Sequence, residues 1–246
     1  MTSGTALARY PGNKSADGVY HRIIGLMPPH DVYVEAFAGS GAIFRNKKPA
    51  ARSVLIDMDA DVAGYWRRQE LANVTVVHGD ALRVLMDYPW TGRELVYADP
   101  PYVRAVRRSQ LPIYRHEMTD AQHADLLTVL KCLPCPVLLS GYRCDLYDAA
   151  LASWQRFDFL ASTHAGPALE SVWLNYPLQA LHDWRYLGRN FRERERIKRK
   201  QTRWRKRLAS MPHLERAAML DTLLELASSE PASGTASPET QGALAV

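Results

Sequence analysis

Apolar residues in the first three-quarters of the chain come in short buried-type runs, each followed by a stretch with helical spacing. The runs are Asp31–Phe37, Val54–Ile56, Val74–Val77, Glu94–Ala98, Val137–Leu139, Phe157–Ala161 and Glu170–Tyr176. Between them, Asp17–Leu26, Ala60–Leu71, the segment through Met86, the segment opening at Thr119 and Asp145–Ala152 carry apolar residues at helical intervals. Short apolar runs alternating with helical segments predict an α/β domain, its strands parallel and joined by right-handed crossovers. The last run is expected to close the sheet.

Beyond residue 184 the pattern changes. Arg185–Leu208 has no proline and a single glycine, Gly188, which predicts a helix. Its charge surrounds the helix rather than forming a stripe, and Phe191, Ile197 and Trp204 are its sparse apolar anchors. Leu214–Ala227 reads as an amphipathic helix that packs on the body or pairs with a second chain. Ser228–Val246 is rich in Ser, Ala, Pro and Gly, a composition expected to stay disordered.

The net charge of +5 is unevenly spread. Residues 1–184 carry 18 Lys+Arg against 19 Asp+Glu, residues 185–207 carry 12 against 2, and residues 208–246 carry 1 against 5. The excess positive charge therefore sits in one segment, a localised polyanion-binding feature. No apolar run approaches the roughly 20 residues of a membrane span, and the polar start lacks a signal-peptide core, so a cytoplasmic protein is expected. Three cysteines suit a reducing compartment. Cys132 and Cys135 have the spacing of a zinc half-site, but no second pair completes four ligands, and no metal is expected.

Two stretches carry candidate chemistry. In Val96-Tyr97-Ala98-Asp99-Pro100-Pro101-Tyr102 a strand ends at an acid, two prolines and an aromatic. Neither proline donates a backbone hydrogen bond and each fixes its own φ, so the chain leaves the sheet as a stiff spur. The spur offers a carboxylate, bare carbonyls and an aromatic face, which suits a planar group bearing NH2. The other stretch is Phe37-Ala38-Gly39-Ser40-Gly41, where a strand runs through glycines into a helix and a ligand can approach bare backbone. The third glycine of the dinucleotide fingerprint is missing, so NAD is not indicated. Asp57 lies 20 residues after Phe37, the distance at which an acid ending strand two reaches ribose hydroxyls. Asp59 reads as a helix N-cap beside it, and Asp80 as the N-cap of the following helix. Arg104, Arg107, Arg108 and Arg115, after the spur, are placed to hold phosphates flanking a target base, or form a solvated charged loop.

Asp99-Pro100-Pro101-Tyr102 together with the glycine stretch resembles the amino-methyltransferases of DNA, in particular the Dam-type adenine-N6 enzymes. The resemblance runs from about Arg9 to about Tyr176 and includes a Glu–Trp–Asn–Tyr pattern at Glu170, Trp173, Asn175 and Tyr176. It implies a Rossmann-like sheet with helices on both faces over residues 1–184 and S-adenosyl-L-methionine as cofactor. It places Tyr10 on the adenine of that cofactor, Lys14 at its methionine end, and Phe37–Gly41, Asp57, Met58, Asp80, Ala81 and Asp99 around it. Relatives often have tryptophan where Tyr10 stands.

The implied reaction is site-specific methylation of adenine N6 in DNA, as in restriction–modification systems. Asp99 and the Pro100 carbonyl would accept the two N–H bonds of a flipped-out base stacked on Tyr102. Aspartate in first position favours adenine over cytosine, whose N4 enzymes usually show serine there. Residues 185–227 then form a basic helical extension contacting nucleic acid through Arg192, Arg196, Arg199, Lys200 and Arg203. The expected partner is double-stranded DNA, with single-stranded DNA, RNA, or a protein that binds without catalysis as alternatives. A monomer or homodimer is expected. One departure matters: Dam-type enzymes place a recognition segment between the Asp80-like and Asp99-like motifs, and this chain has only 18 residues there. Short or relaxed sequence specificity follows.

Overall fold

The structure, a computed structural model, describes Lys14 and residues 19–107, 111–163, 166–178 and 191–229. The chain divides into two compact units, Met1–Asp183 and Trp184–Val246.

The first unit is built on a seven-stranded sheet. In chain order its elements are α1 (Val19–Gly25), β1 (Val32–Glu35), α2 (Ala42–Asn46), β2 (Arg52–Asp57), α3 (Ala60–Arg67), β3 (Val74–His78), α4 (Ala81–Asp87) and β4 (Glu94–Ala98). A single 3-10 turn (Arg104–Val106) follows, then α5 (Asp120–Cys132), β5 (Val137–Gly141), α6 (Asp145–Ala150), β6 (Gln155–Thr163) and β7 (Gly166–Leu174). The strand order is β3-β2-β1-β4-β5-β7-β6. The first five pair in parallel. β7 is antiparallel to both neighbours.

β1 sits in the middle with β2 on one side and β4 on the other, so the direction of winding reverses there. Such a switch point leaves a crevice at the carboxyl ends of the strands. Period-two alternation divides the side chains between the faces. Val34, Val54, Ile56, Val96, Ala98, Val137 and Leu139 pack with Leu85 of α4, Leu126, Leu127 and Leu130 of α5 and Tyr147 of α6. On the other face Leu55 packs with Val62 and Trp66 of α3. Helices therefore cover both faces.

Helix starts follow local chemistry. Asp59 caps α3 by accepting from the Asp61 N–H, and Asp80 caps α4 by accepting from Leu82 N–H. Thr119 and Gln122 form a reciprocal capping box on α5. α3 stops at Arg67, short of Leu71, and the chain turns through positive φ at Glu70 and Asn73.

The Glu170–Tyr176 run does not close the sheet. It lies in β7, between β5 and β6, and β6 is the edge. The physical reason is burial: Glu170–Leu174 is buried throughout, whereas β6 carries Arg156, Asp158 and an exposed Leu160, which tolerate an edge. Within the same run, Asn175 accepts from Val137 N–H and donates to the Cys135 carbonyl, and Tyr176 donates to the Leu26 carbonyl. These two residues pin the start of β5 and the end of α1.

The second unit contains α7 (Phe191–Ala209) and α8 (His213–Ser229). Arg192, Arg196, Arg199, Lys200 and Arg203 of α7 are all exposed. Leu214, Leu220, Leu223, Leu224 and Leu226 of α8 are exposed as well. Ser228 and Ser229 end α8, and residues 230–246 lie outside the described residues. Among the described residues no helix is long and apolar enough to cross a membrane.

Candidate active site

β1 continues past Glu35 without a break in its pairing: Ala36 N–H bonds to the Tyr97 carbonyl and Ala38 N–H to the Ile56 carbonyl. Gly39 (φ 44°) and Gly41 (φ 63°) then turn the chain into α2 in left-handed conformations that side chains resist. Trp66 of α3 fixes this loop, its indole N–H donating to the Gly39 carbonyl at 3.0 Å. Asp57 fixes it from the other side. Its Oδ2 accepts from Gly39 N–H and its Oδ1 from Asp59 N–H, both at 2.8 Å. Burial raises the Asp57 pKa, while the two backbone donors pull it back. Each oxygen retains a lone pair for a ligand hydroxyl.

These groups wall a cavity of about 240 Å³ at the carboxyl edge of the sheet. Lys14, Phe37, Ala38, Gly39, Ser40, Gly41, Asp57, Met58, Asp80, Ala81, Asp99, Pro100 and Pro101 all line it. Asp80 thus caps α4 and faces the cavity with the same side chain. Tyr10 lies outside the described residues. The cradle suits S-adenosyl-L-methionine: two glycines leave backbone bare, and acids stand at the ends of β2 and β3. Among the described residues no cluster of three or more His, Cys, Asp and Glu is placed to hold a metal.

Beside the cavity lies a layer of polar groups that strand alternation puts on one face of the sheet. Glu35 pairs with Tyr97 across β1–β4, and Tyr97 with Leu138 across β4–β5. Two residues further on, Asp99 and Ser140 meet: the Ser140 hydroxyl donates to Asp99 Oδ1 at 2.8 Å and lies 3.0 Å from the Tyr97 hydroxyl. Val172 pairs with Ser140, so Glu170 falls on the same face. Lys14 bridges the layer, its Nζ 2.9 Å from Asp99 Oδ1 and 3.9 Å from Glu170 Oε1. Burial opposes the ammonium charge, but the Asp99 and Glu170 carboxylates outweigh it and hold the lysine pKa above its usual range. Burial also raises the Glu170 pKa, with Lys14 opposing. Glu35, fully buried, is pushed up to about 8 by desolvation, although Tyr33 donates to its Oε2 at 2.8 Å.

Tyr102 is not an open platform here. It is 6% exposed, with the Lys14 ammonium 4.6 Å above its ring and Tyr142 packed edge-on at 4.5 Å.

The loop between β4 and α5 departs from the sequence reading. Arg107, expected on phosphate, is buried in a two-pronged pair with Glu117. Glu117 also accepts from the Ile113 and Tyr114 N–H groups. The Arg107 hydrogen bonds above all hold the Glu117 pKa down at about 2. Arg115 reaches Asp59 at 2.9 Å and Asp61 at 2.7 Å, tying the loop to the start of α3. Two of the arginines therefore fold the loop over the cavity, where Tyr114, His116, Glu117 and Met118 line it. Arg104 is exposed, and Arg108 lies outside the described residues.

Sequence reasoning missed Glu35, Trp66, Glu117, Ser140 and the role of Glu170. A polar residue inside an apolar strand run was the available signal for Glu35, Ser140 and Glu170.

No protein-family model matches the sequence, and no curated protein matches it. Solved structures of similar fold include the N-methyltransferase NodS from Bradyrhizobium japonicum WM9, at 12% identity and TM-score 0.45, covering 64% of this chain and 93% of that one. TrmN from Thermus thermophilus aligns at 18% identity and TM-score 0.44, covering 63% of this chain and 46% of that one. A dimethyladenosine transferase from Plasmodium falciparum aligns at 13% identity and TM-score 0.42, covering 64% and 60% respectively. The fold of the first unit is a doubly wound, Rossmann-like α/β sheet with an antiparallel β7, and two further helices follow it in the chain.

Proposed function

We propose that the protein methylates the N6 amino group of adenine in DNA, taking the base out of the duplex to do so. The observation that carries this reading is the position of Asp99. Its carboxylate stands on a double-proline spur beside the glycine-loop cavity, held from below by Ser140 and Lys14.

An exocyclic amine is a poor nucleophile because its lone pair is delocalised into the ring. Asp99 and the Pro100 carbonyl are suited to accept its two hydrogens and turn that lone pair out of conjugation. The carboxylate also stabilises positive charge growing on the nitrogen. S-Adenosyl-L-methionine, when bound, supplies a methyl group activated by a sulfonium. Gly39, Gly41, Asp57 and Asp80 would hold it. Lys14 already makes the contacts ascribed to the target amine, a nitrogen donor on Asp99 and over the Tyr102 ring. Stacking of the base on Tyr102 thus requires Lys14 to withdraw, and Glu170 offers it a second carboxylate.

DNA is the proposed partner, contacted by the exposed arginines and lysine of α7. Specificity should be short or relaxed. Between Asp80 and Asp99 the structure has α4, β4 and a connector of residues 88–93, in which Trp90 bonds to Leu85 and Thr91 to Glu94. Those contacts commit the connector to the fold, which supports short or relaxed specificity.

The test is transfer of labelled methyl from S-adenosylmethionine to unmethylated duplex DNA, single-stranded DNA and RNA, with Asp99→Ala as control. N6-methyladenine in duplex DNA with the intact protein alone supports the reading. Label in RNA only, or none with either protein, overturns it. One long, strict methylated site would sink the specificity part.

A further inference from the structure

We infer that Ser140 and Tyr97 are positioning residues, a directed hydroxyl relay that fixes the Asp99 carboxylate so that Oδ2 alone meets the target amine. The inference rests on the methyl-transfer reading for its chemistry and on strand geometry for its existence.

The proton directions are forced. A carboxylate only accepts, so the hydroxyl of Ser140, 2.8 Å from Asp99 Oδ1, must donate to it. Having spent its one proton there, Ser140 Oγ can only accept from the Tyr97 hydroxyl 3.0 Å away. Tyr97 is a permanent donor, because burial lifts its pKa well above the ordinary phenol range. The relay therefore runs from Tyr97 through Ser140 to Asp99. Lys14 Nζ adds a second donor to the same oxygen at 2.9 Å. Before the base enters, Oδ1 has both lone pairs engaged, and once Lys14 withdraws Ser140 still holds it, whereas Oδ2 takes no hydrogen bond among the described residues. Without this, rotation about the carboxyl bond would exchange the two oxygens.

The relay is built into the sheet. Tyr97 and Asp99 are two residues apart at the end of β4, and Leu138 and Ser140 face them from β5. Ser140 is fully buried, and so is Tyr97 apart from a trace. A serine whose only task was to satisfy Tyr97 would not need to sit opposite the spur acid.

Ser140→Ala removes the donor. Ser140→Cys keeps nearly the same shape but offers only a weak one, which guards against misfolding of the alanine variant. Either should lower kcat on duplex DNA by about 10- to 100-fold, the cost of misplacing a reacting group by a fraction of an ångström to an ångström. The dissociation constants for S-adenosylmethionine and DNA should stay within about threefold, a split that a general loss of structure would not give. Tyr97→Phe should act in the same direction and less strongly. Crystal structures of the two serine variants should show the Asp99 carboxylate rotated or in two conformers. Wild-type kcat in either serine variant overturns the inference, as does an unmoved Asp99 carboxylate in its crystal structure. If the intact protein methylates no nucleic acid, the functional reading fails, and the position of Asp99 in the variants still decides the relay.

Discussion

The indole of Trp66 occupies the space that any side chain on Gly41 would need: a Cβ built there would run into Cζ2 and Cη2 of its ring. The same indole holds the Gly39 carbonyl. One tryptophan thus sets how closely α3 approaches the glycine loop and keeps that loop bare towards the cavity. Gly41→Ala must displace Trp66 and hold a methyl-bearing residue at φ 63°. Overpacking and left-handed strain together should cost about 2–4 kcal/mol of stability. Affinity for S-adenosylmethionine should fall by an order of magnitude or more, read by calorimetry. Trp66→Phe loses one hydrogen bond, worth about 1 kcal/mol, and empties part of the space that Cζ2 and Cη2 fill beside Gly41. It should weaken cofactor binding severalfold and lower the melting temperature as well. A Gly41→Ala protein with unchanged cofactor affinity would refute this account.

Glu35 gives a pH-dependent prediction. Its pKa rises from 4.5 to about 8 on folding, chiefly through burial, with Asp99 adding to the rise and Tyr33 and Lys47 opposing it. Between those values the unfolded chain has lost the proton and the folded protein keeps it. This contribution therefore makes stability fall as pH rises from about 4.5 to about 8, at no more than roughly 1.4 kcal/mol per unit. Glu35→Gln carries no such charge, so its melting temperature should exceed that of wild type increasingly from pH 5 to pH 8. Parallel pH curves for the two proteins would show that Glu35 ionises freely in the fold.

How much of this was legible in the sequence depends on the range of each interaction. The glycine loop, the spur and Asp57 announce themselves because their geometry is local: tight turns, fixed φ angles and a strand end. The alternation of strands and helices likewise shows in short-range periodicity. Arg107 and Arg115 misled because a sequence displays charge without partners. The partner of Arg107 stands 10 positions away, and Arg115 reaches back 56 positions to Asp59. Ser140 and Glu170 are single polar residues in apolar strands, and only the register of β4, β5 and β7 shows that they converge on Asp99. The insertion of β7 inside the sheet is a matter of strand order, which periodicity does not encode.

Arg115 should govern access rather than stability. It is mostly solvent-exposed, and exposed pairs add little to stability. Yet it ties a cavity-lining loop to the start of α3. Arg115→Ala should leave the melting temperature nearly unchanged and speed S-adenosylmethionine dissociation severalfold in stopped-flow displacement. High salt should speed wild-type dissociation towards the variant's rate, because screening weakens the same clasp. Equal off-rates at low salt would mean that the loop does not gate the cavity.

The last prediction concerns α7 by itself. Arg196, Arg199 and Arg203 are exposed, and the 3.5 Å pair of Arg196 with Glu193 is too solvated to hold that arginine back from a polyanion. If the three neutralise phosphates, each releases about 0.9 of a condensed counterion on binding duplex DNA. Changing all three to glutamine should therefore reduce the slope of log K against log salt by about 3. Affinity should drop equally for unrelated DNA sequences, since phosphate contacts carry no base information. The catalytic rate at saturating DNA should hold, because the reacting groups belong to the first unit. An unchanged salt slope would show that these three arginines neutralise no phosphate, with Arg104 on the loop after the spur the next residue to test.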